Sequence, residues 1–332
     1  MANIHIPLLP AADFELLIEL IFAHTKQHVS DFLQGKNIPY TGTKETLEER
    51  IRTGIDQRAI SHEELVALLD DIEGWGNQHV YLYKLTEAAV EVLRDGDLVQ
   101  QQFEAKGLGH LFNDGITVFI PEQPTLASSS HNDQTLNLKF VEQRRWSELI
   151  ANEVEDHPDY GQLEVRKYRT RRGRGVNSVR VHLPTGQVEV MIQTLQSGTR
   201  YDEVRDNFLA EFDWIVPWVA MTLVETAKAI PAIEATDETR NRASILGTLT
   251  GSVAAFRSSQ ASADYRTDGD VKNARDALGD AVVGVMGNFY WLPTAPLLQE
   301  VHTHIYKDRI GFLGERTEIE VGYVLSRIRA YC

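Results

Sequence analysis

The feature that most constrains this chain is a change of hydrophobic period near residue 108. Before it, apolar residues recur every three to four positions: Phe14, Leu17, Ile18, Ile21 and Phe22 form one stripe, as on an amphipathic helix. After it, apolar and polar residues alternate in Leu136–Val141 (LNLKFV), Glu164–Arg171 (EVRKYRTR), Val176–Leu183 (VNSVRVHL) and Gln187–Thr194 (QVEVMIQT). A period of two places side chains on opposite faces of a strand. Pro184-Thr185-Gly186 is a turn, so the last three runs predict an antiparallel meander. The two regimes together predict an α+β chain.

Local signals fill in the elements. Thr43 is placed to cap a helix reaching about Ile55, with Glu45 in its first turn; Ser61 and Glu64 have capping-box spacing for a helix through Ile72. Gly74-Trp75-Gly76-Asn77 breaks that helix. Val80–Leu85 (VYLYKL) reads as a strand and Thr86–Phe103 as a helix. Ile116–Ile120 reads as a short β run, Pro121–Asp133 as a loop and Arg145–Glu155 as a helix. Beyond residue 198 the periodicity predicts helices over Thr199–Val224 (bent at Pro217), Asp237–Ser259 and Asp270–Val285. Strand, turn, strand and helix follow over Leu298–Tyr306, Asp308-Arg309, Ile310–Leu313 and Thr317–Ala330. The expected organisation is a helical domain over 1–106, an antiparallel β-rich domain with flanking helices over 107–196, and a mainly helical region over 197–332 closed by a β-hairpin and helix.

Composition bounds the function. The longest apolar run, Trp214–Val224, is about half of the ~20 residues a spanning helix needs, so no membrane partner is expected. The only cysteine is Cys332, which rules out an intrachain disulfide and a Cys-based zinc site and fits a reducing cytoplasm. The net charge of −15 repels a phosphate backbone on average. One stretch runs against it: Leu163–Arg180 carries seven Lys and Arg against one Glu.

Two segments point to nucleic acid. Gly42–Ile51 reads GTK-x-x-L-x-x-RI, preceded by apolar Ile38, and resembles the SAP motif, a helix–loop–helix module associated with DNA binding. The resemblance covers about a tenth of the chain and implies DNA contacts through Thr43, Lys44 and Arg50; the motif's second helix is acidic here, with Glu45, Glu48 and Glu49. A helix N-terminus with a hydroxyl and a lysine suits phosphate. Gly74–Lys84 (GWGNQHVYLYK), with the helix before it, is similar to the segment after the helical domain of the kinetochore centromere protein N family, which also joins helices to a β-rich domain and touches nucleosomal DNA. Read from its residues alone, this segment is a junction where Trp75 and Tyr81 pack.

The second segment is an Arg-rich hairpin. Alternation puts Arg166, Tyr168 and Thr170 on one face and Lys167, Arg169 and Arg171 on the other, with Arg172, Gly173 and Arg174 expected at the tip and Arg180 on the return strand. Such a ribbon fits a groove, and Arg suits bidentate phosphate contacts. The competing reading is a cationic surface for an acidic protein partner, or for the chain's own acidic body. His302 and His304 share a strand face and could hold a metal, with Asp264, Asp268 and Asp270 as further ligands, although no spacing fixes them. Asp156-His157-Pro158-Asp159 has nuclease-like residue types in a loop. No GxxxxGK[ST], GxGxxG after a strand, GxSxG or HExxH occurs, and no cofactor is expected. The expected function is a non-catalytic DNA-binding protein. The alternatives are an interaction subunit, for example of a bacterial defence or chromosome-associated assembly, or a homo-oligomer; a metal-dependent hydrolase comes third.

Overall fold

Four helices open the chain, and their caps are those the sequence offers. The computed structural model describes residues 11–113, 115, 118–195, 199–248, 251–260, 262–279 and 282–332. The helices are α1 (Ala11–Ala23), α2 (Lys26–Gly35), α3 (Lys44–Asp56) and α4 (His62–Gly74). The Thr43 hydroxyl accepts the Thr46 N–H at the start of α3, and Ser61 and Glu64 close a reciprocal capping box on α4. Leu17, Ile21, Val29, Leu33, Leu47, Ile51, Leu65 and Leu69 make the core of this unit. Each such side chain contributes about 1.5–3 kcal/mol by leaving water.

The rest is organised by one antiparallel sheet. Its strands are β1 (Gly76–Leu85), β2 (Thr125–His131), β3 (Thr135–His157), β4 (Gly161–His182), β5 (Gln187–Gln193), β6 (Met221–Leu223), β7 (Thr239–Thr248), β8 (Val253–Arg257), β9 (Val282–Trp291), β10 (Val301–Tyr306) and β11 (Ile310–Glu315). They lie in the order β2-β3-β4-β5-β1-β11-β10-β9-β7-β8, with β6 paired to β1. The sheet therefore takes strands from all three of the segments 1–106, 107–196 and 197–332. The helices among them are α5 (Glu87–Arg94), α6 (Gly96–Ala105), α7 (Tyr201–Phe212), α8 (Ala229–Glu234), α9 (Gly269–Asp276) and α10 (Glu318–Tyr331).

Strand β1 is the seam. Tyr81, Tyr83 and Leu85 face a core shared with Val90 and Leu93 of α5, Val99 and Phe103 of α6, and Phe208 and Phe212 of α7; this is the front of the sheet. Val80 and Leu82 face a back core with Ile230 and Ile233 of α8 and Val321, Val324, Leu325 and Ile328 of α10. The front of β11, β10, β9, β7 and β8 has no such cover: no helix among the described residues packs a core against it. The α+β class, the helical N-terminal part, and the closing hairpin and helix are as the sequence predicts. Trp75 packs in the back core and Tyr81 in the front core, at the junction expected of them.

Several expectations are overturned. Pro121–Asp133 is not all loop: Thr125–His131 within it is strand β2, paired with β3. Arg145–Glu155 is strand, not helix: Trp146, Leu149 and Ile150 have helical spacing because the β3–β4 register shifts between Leu149 and Ala151, a bulge that interrupts the alternation. Arg172-Gly173-Arg174 is not a hairpin tip but lies mid-strand in β4, and the turn is at Pro158-Asp159-Tyr160, where His157 pairs with Gly161. Asp237–Ser259 is two strands, β7 and β8; Thr199–Val224 and Asp270–Val285 hold only short helices, α7 and α9, before turning to strand. Of the Ile116–Ile120 run, residues 116 and 117 lie outside the described residues, and 118–120 form no regular element.

Candidate nucleic-acid interface

The longest exposed feature is the ribbon of β3 and β4. Pairing with β2 ends at Val141 and pairing with β5 begins at Asn177, so residues from about 143 to 175 leave the sheet as a two-stranded arm. Its root is set by two glycines. A Cβ on Gly173 would lie 2.8 Å from the Trp146 ring, and one on Gly175 would lie 2.2 Å from Arg144 Nε. The glycines thus give Trp146 and Arg144 room to lie across β4 on the front, while Arg174 between them points to the back.

The arm sorts the predicted cations. On one face Arg145, Arg166, Tyr168 and Arg172 stand with Leu149 and Val154; on the other are Lys167, Arg169 and Arg171, in the alternation the sequence predicts for β4. That second face is neutralised from β3. Glu148 accepts from Arg169 at 2.9 Å and Arg171 at 2.6 Å, and Lys167 pairs with Glu153 at 2.5 Å. These contacts hold the Glu148 carboxyl below its usual range, the Arg169 hydrogen bond acting most strongly. Arg166 pairs with Glu164 at 3.0 Å. Arg172 has no ion pair or hydrogen bond among the described residues. Over residues 143–172 seven Lys and Arg meet six Asp and Glu. The arm is close to neutral as seen from beyond the ~8–10 Å screening length.

The remaining predicted contacts have partners within the chain. Lys44 Nζ donates to the Phe22 and His24 carbonyls at 2.8 and 2.7 Å, closing the end of α1, and Arg50 donates to the Pro39 and Thr41 carbonyls at 2.9 and 2.6 Å. Arg174 is buried against Glu73 of α4 at 3.0 Å, and Lys139 reaches the same carboxylate at 2.8 Å. Arg180 lies 4.4 Å over the Trp75 ring and pairs with Glu318 at 2.8 Å. Arg174 and Arg180 thus join the helical unit and α10 to the back of the sheet.

The uncovered front of the sheet presents a different set. Arg240, Tyr290 and His302 are cross-strand neighbours on β7, β9 and β10; the Arg240 guanidinium is 4.0 Å above Tyr290, whose ring stacks on His302 at 4.1 Å and 11°. His302 Nε2–H donates to Asn288 Oδ1 at 2.7 Å, and Asn288 Nδ2–H donates to His304 Nε2 at 2.9 Å. Burial, then the neighbouring His304 and arginines, pushes His302 down to about 4; burial, then Arg242, lowers His304. The row continues through Tyr306 and Arg309, whose guanidinium lies 4.4 Å over Tyr306 and 5.3 Å over Tyr201 of α7. Tyr201 packs on His79 at 4.0 Å, and His79 lies over Gly311, where a Cβ would come within 3.1 Å of its ring. Arg240 pairs with Glu300 at 2.9 Å and Arg309 with Asp308 at 3.3 Å, whereas Arg242 and Arg257 have no carboxylate partner among the described residues.

His302 and His304 are therefore joined by an amide, and no group of three or more His, Cys, Asp or Glu side chains among the described residues is placed to hold a metal ion. Asp268 caps α9, and Asp264 pairs with Arg266 at 2.7 Å. The turn at Pro158-Asp159 is the arm's end, where the Asp159 N–H donates to His157 Nδ1 at 3.2 Å. No helix among the described residues is long and apolar enough to cross a membrane.

Sequence reasoning missed Arg240, Arg242, Arg257, Asn288 and Tyr290. The inward residues of these strands include Thr239, Asn241, Ser244 and Thr303, all fully or almost fully buried yet polar, so no apolar alternation marks the strands. Their polar atoms are used internally: the Thr239 hydroxyl donates to Asn241 Oδ1 and Trp291 Nε1–H donates to Thr303. The available signal is pairwise, in the R-N-R and H-T-H triplets. Neither a scan of protein-family models nor a search of curated proteins found a match to this chain.

Proposed function

We propose that this chain is a non-catalytic nucleic-acid-binding protein, with DNA the first ligand to test, and that its main contact surface is the front of β7–β11. The observation that carries the reading is the pair Arg242 and Arg257, on the sheet front without carboxylate partners among the described residues, beside the Arg240–Tyr290–His302 stack. Arginine hydrogen-bonds phosphate in a fixed fork, and its attraction acts at short range even on a molecule of net charge −15. The SAP-like helix supports the reading less, because Lys44 and Arg50 already hold backbone carbonyls. Within the arm, Arg172 is the best-placed contact. A gel shift at low salt tests the assignment: Arg242→Glu with Arg257→Glu removes retention of DNA, and Arg169→Glu with Arg171→Glu weakens it only slightly. The opposite ranking returns the site to the ribbon.

A second reading has its own observation. Leu149, Ile150, Val154, Tyr160 and Tyr168 are more than half exposed on an arm of almost balanced charge. That combination suits a protein partner held by apolar and polar contacts together. Loss of a stoichiometric co-purifying protein on removal of the arm, with DNA binding intact, supports it.

A further inference from the structure

The front of the sheet holds a cavity of about 820 Å³ at the root of the ribbon, between β3–β5 and α7. That is the size of a small-molecule site, ~300–1,000 Å³. Trp146 and Arg144 line one side and Val204, Asn207 and Phe208 of α7 the other. Gly173 and Gly175 make this possible, since a side chain at either would displace Trp146 or Arg144. No ring or guanidinium among the described residues stacks on Trp146, in contrast to Tyr290, Tyr306 and Tyr201, whose faces already have partners.

The polar groups of the cavity are fixed before any ligand arrives. Arg144 donates to Glu142 at 2.9 Å, to Asn177 Oδ1 at 2.8 Å, and to the Gln193 backbone and side-chain oxygens at 3.3 Å. Gln193 Oε1 also accepts the Val176 N–H. The amide oxygens of Asn177 and Gln193 are thus engaged, whereas their amide N–H groups have no acceptor among the described residues, and Asn177 is 4 % exposed. With Glu142 opposite Arg144, and Glu211 also in the lining, the interior does not favour a dianion. A flat, uncharged ring bearing carbonyl or ring-nitrogen acceptors fits better. Arg145, exposed and 3.9 Å from Glu122, can take a phosphate outside.

The cavity also continues the aromatic row. Leu195 lines it, and the Leu195 N–H donates at 2.8 Å to the hydroxyl of Tyr201, the ring between His79 and Arg309. We propose that this cavity receives one unstacked nucleobase of a single-stranded nucleic acid, its face on Trp146 and its acceptors on the amide groups of Asn177 and Gln193, while the strand continues across the front of β10 and β9. The proposal rests on the nucleic-acid reading above, and it assigns single strands over duplex because a paired base cannot enter the cavity. Stacking of a base on an aromatic ring contributes ~1–3 kcal/mol, on the order of ten-fold or more in affinity.

The test uses the full chain, a labelled fifteen-nucleotide oligothymidylate, the same sequence as a duplex, and thymidine 5′-monophosphate. Anisotropy is expected to give about ten-fold tighter binding of the single strand, and Trp146→Ala to remove about that factor for the single strand alone. Trp146→Phe is expected to stay within about three-fold of the parent, which separates stacking from misfolding. The monophosphate is expected to quench tryptophan emission of the parent and not of Trp146→Phe. Unchanged single-strand affinity in Trp146→Ala, with Arg242→Glu still weakening it, overturns the pocket and leaves the nucleic-acid reading standing. Quenching through Trp146 without oligonucleotide binding does the reverse: the base pocket holds and the nucleic-acid reading falls.

Discussion

At the level of single residues, the strongest electrostatic contacts connect elements rather than present charge to a ligand. Glu73, with its side chain 3 % exposed, faces both Arg174 and Lys139. Burial lowers the Arg174 pKa and Glu73 opposes that, so the carboxylate is what keeps a buried guanidinium tolerable. Removing one partner of such a group costs ~3–5 kcal/mol, because a buried charge is left uncompensated. Glu73→Gln is therefore expected to lower the urea midpoint strongly, while Glu48→Gln, on a part-exposed pair with Arg52, changes it little. Glu315 is a second joint. Burial would raise its pKa, but hydrogen bonds from His24, His28 and Thr25 outweigh that and hold it far below the usual carboxylate range. It thereby caps α2 from β11.

The histidines give stability a pH dependence whose sign is fixed. His79 and His302 are pushed down to about 4, first by burial, and His304 is lowered for the same first reason. Between their unfolded value of ~6.5 and about 4, the unfolded chain binds protons that the folded chain refuses, so stability falls on acidification through this window. His28, raised by its hydrogen bond to Glu315, acts in the opposite sense: its contribution is complete below ~6.5 and is lost as pH rises through its folded pKa. Asp71, its carboxyl raised first by burial, acts in the same sense as His28, but the shifts of His79 and His302 to about 4 are the large ones and set the sign. Urea midpoints measured at pH 7 and pH 5 are expected to fall, and the fall is expected to shrink in His302→Phe; a midpoint that rises toward pH 5 contradicts the assignment.

Among the elements, the ribbon separates from the fold that carries it. Its residues from 145 to 172 are exposed or part-exposed and belong to none of the buried cores. Exposed ion pairs such as those of Glu148 contribute only ~0–1 kcal/mol. Joining Arg144 to Gly173 through Asn-Gly, in place of residues 145–172, is therefore expected to leave the far-ultraviolet circular dichroism shape and the urea midpoint nearly unchanged. Collapse of the midpoint shows that the arm supports the sheet.

How far the elements are legible in sequence follows from the same physics. Helices α3, α4 and α10 and the hairpin β10–β11 announce themselves, because caps, turn and apolar spacing agree. Strands β7 and β9 do not: one buries Thr239, Asn241 and Ser244, and the other exposes Val283 and Val285. The ribbon misleads differently. With β3 read as a helix, the basic strand stands alone at seven cations to one anion; paired with β3, it meets Glu148, Glu153 and Glu155. Glycines 173 and 175 resemble turn residues in sequence, yet their use is to admit Arg144 and Trp146.

The whole molecule sets local positive charge on an acidic body. The net charge of −15 repels a polyanion on average, while the sheet front sets part-buried arginine and aromatic groups side by side, with Arg257 exposed beside them. The proposed nucleic-acid binding predicts a salt dependence, since each phosphate neutralised releases counterions, with a slope of about −0.7 per phosphate for single strands. The most direct test is the affinity for a labelled single-stranded oligonucleotide between 50 and 200 mM salt, for the parent and for Arg242→Glu with Arg257→Glu. A falling log–log line is expected for the parent. The slope of the double variant is expected to be shallower by about 1.4, because two arginines no longer neutralise a phosphate each. Absence of binding at the lowest salt, or parallel lines for the two proteins, contradicts a nucleic-acid surface on this sheet front.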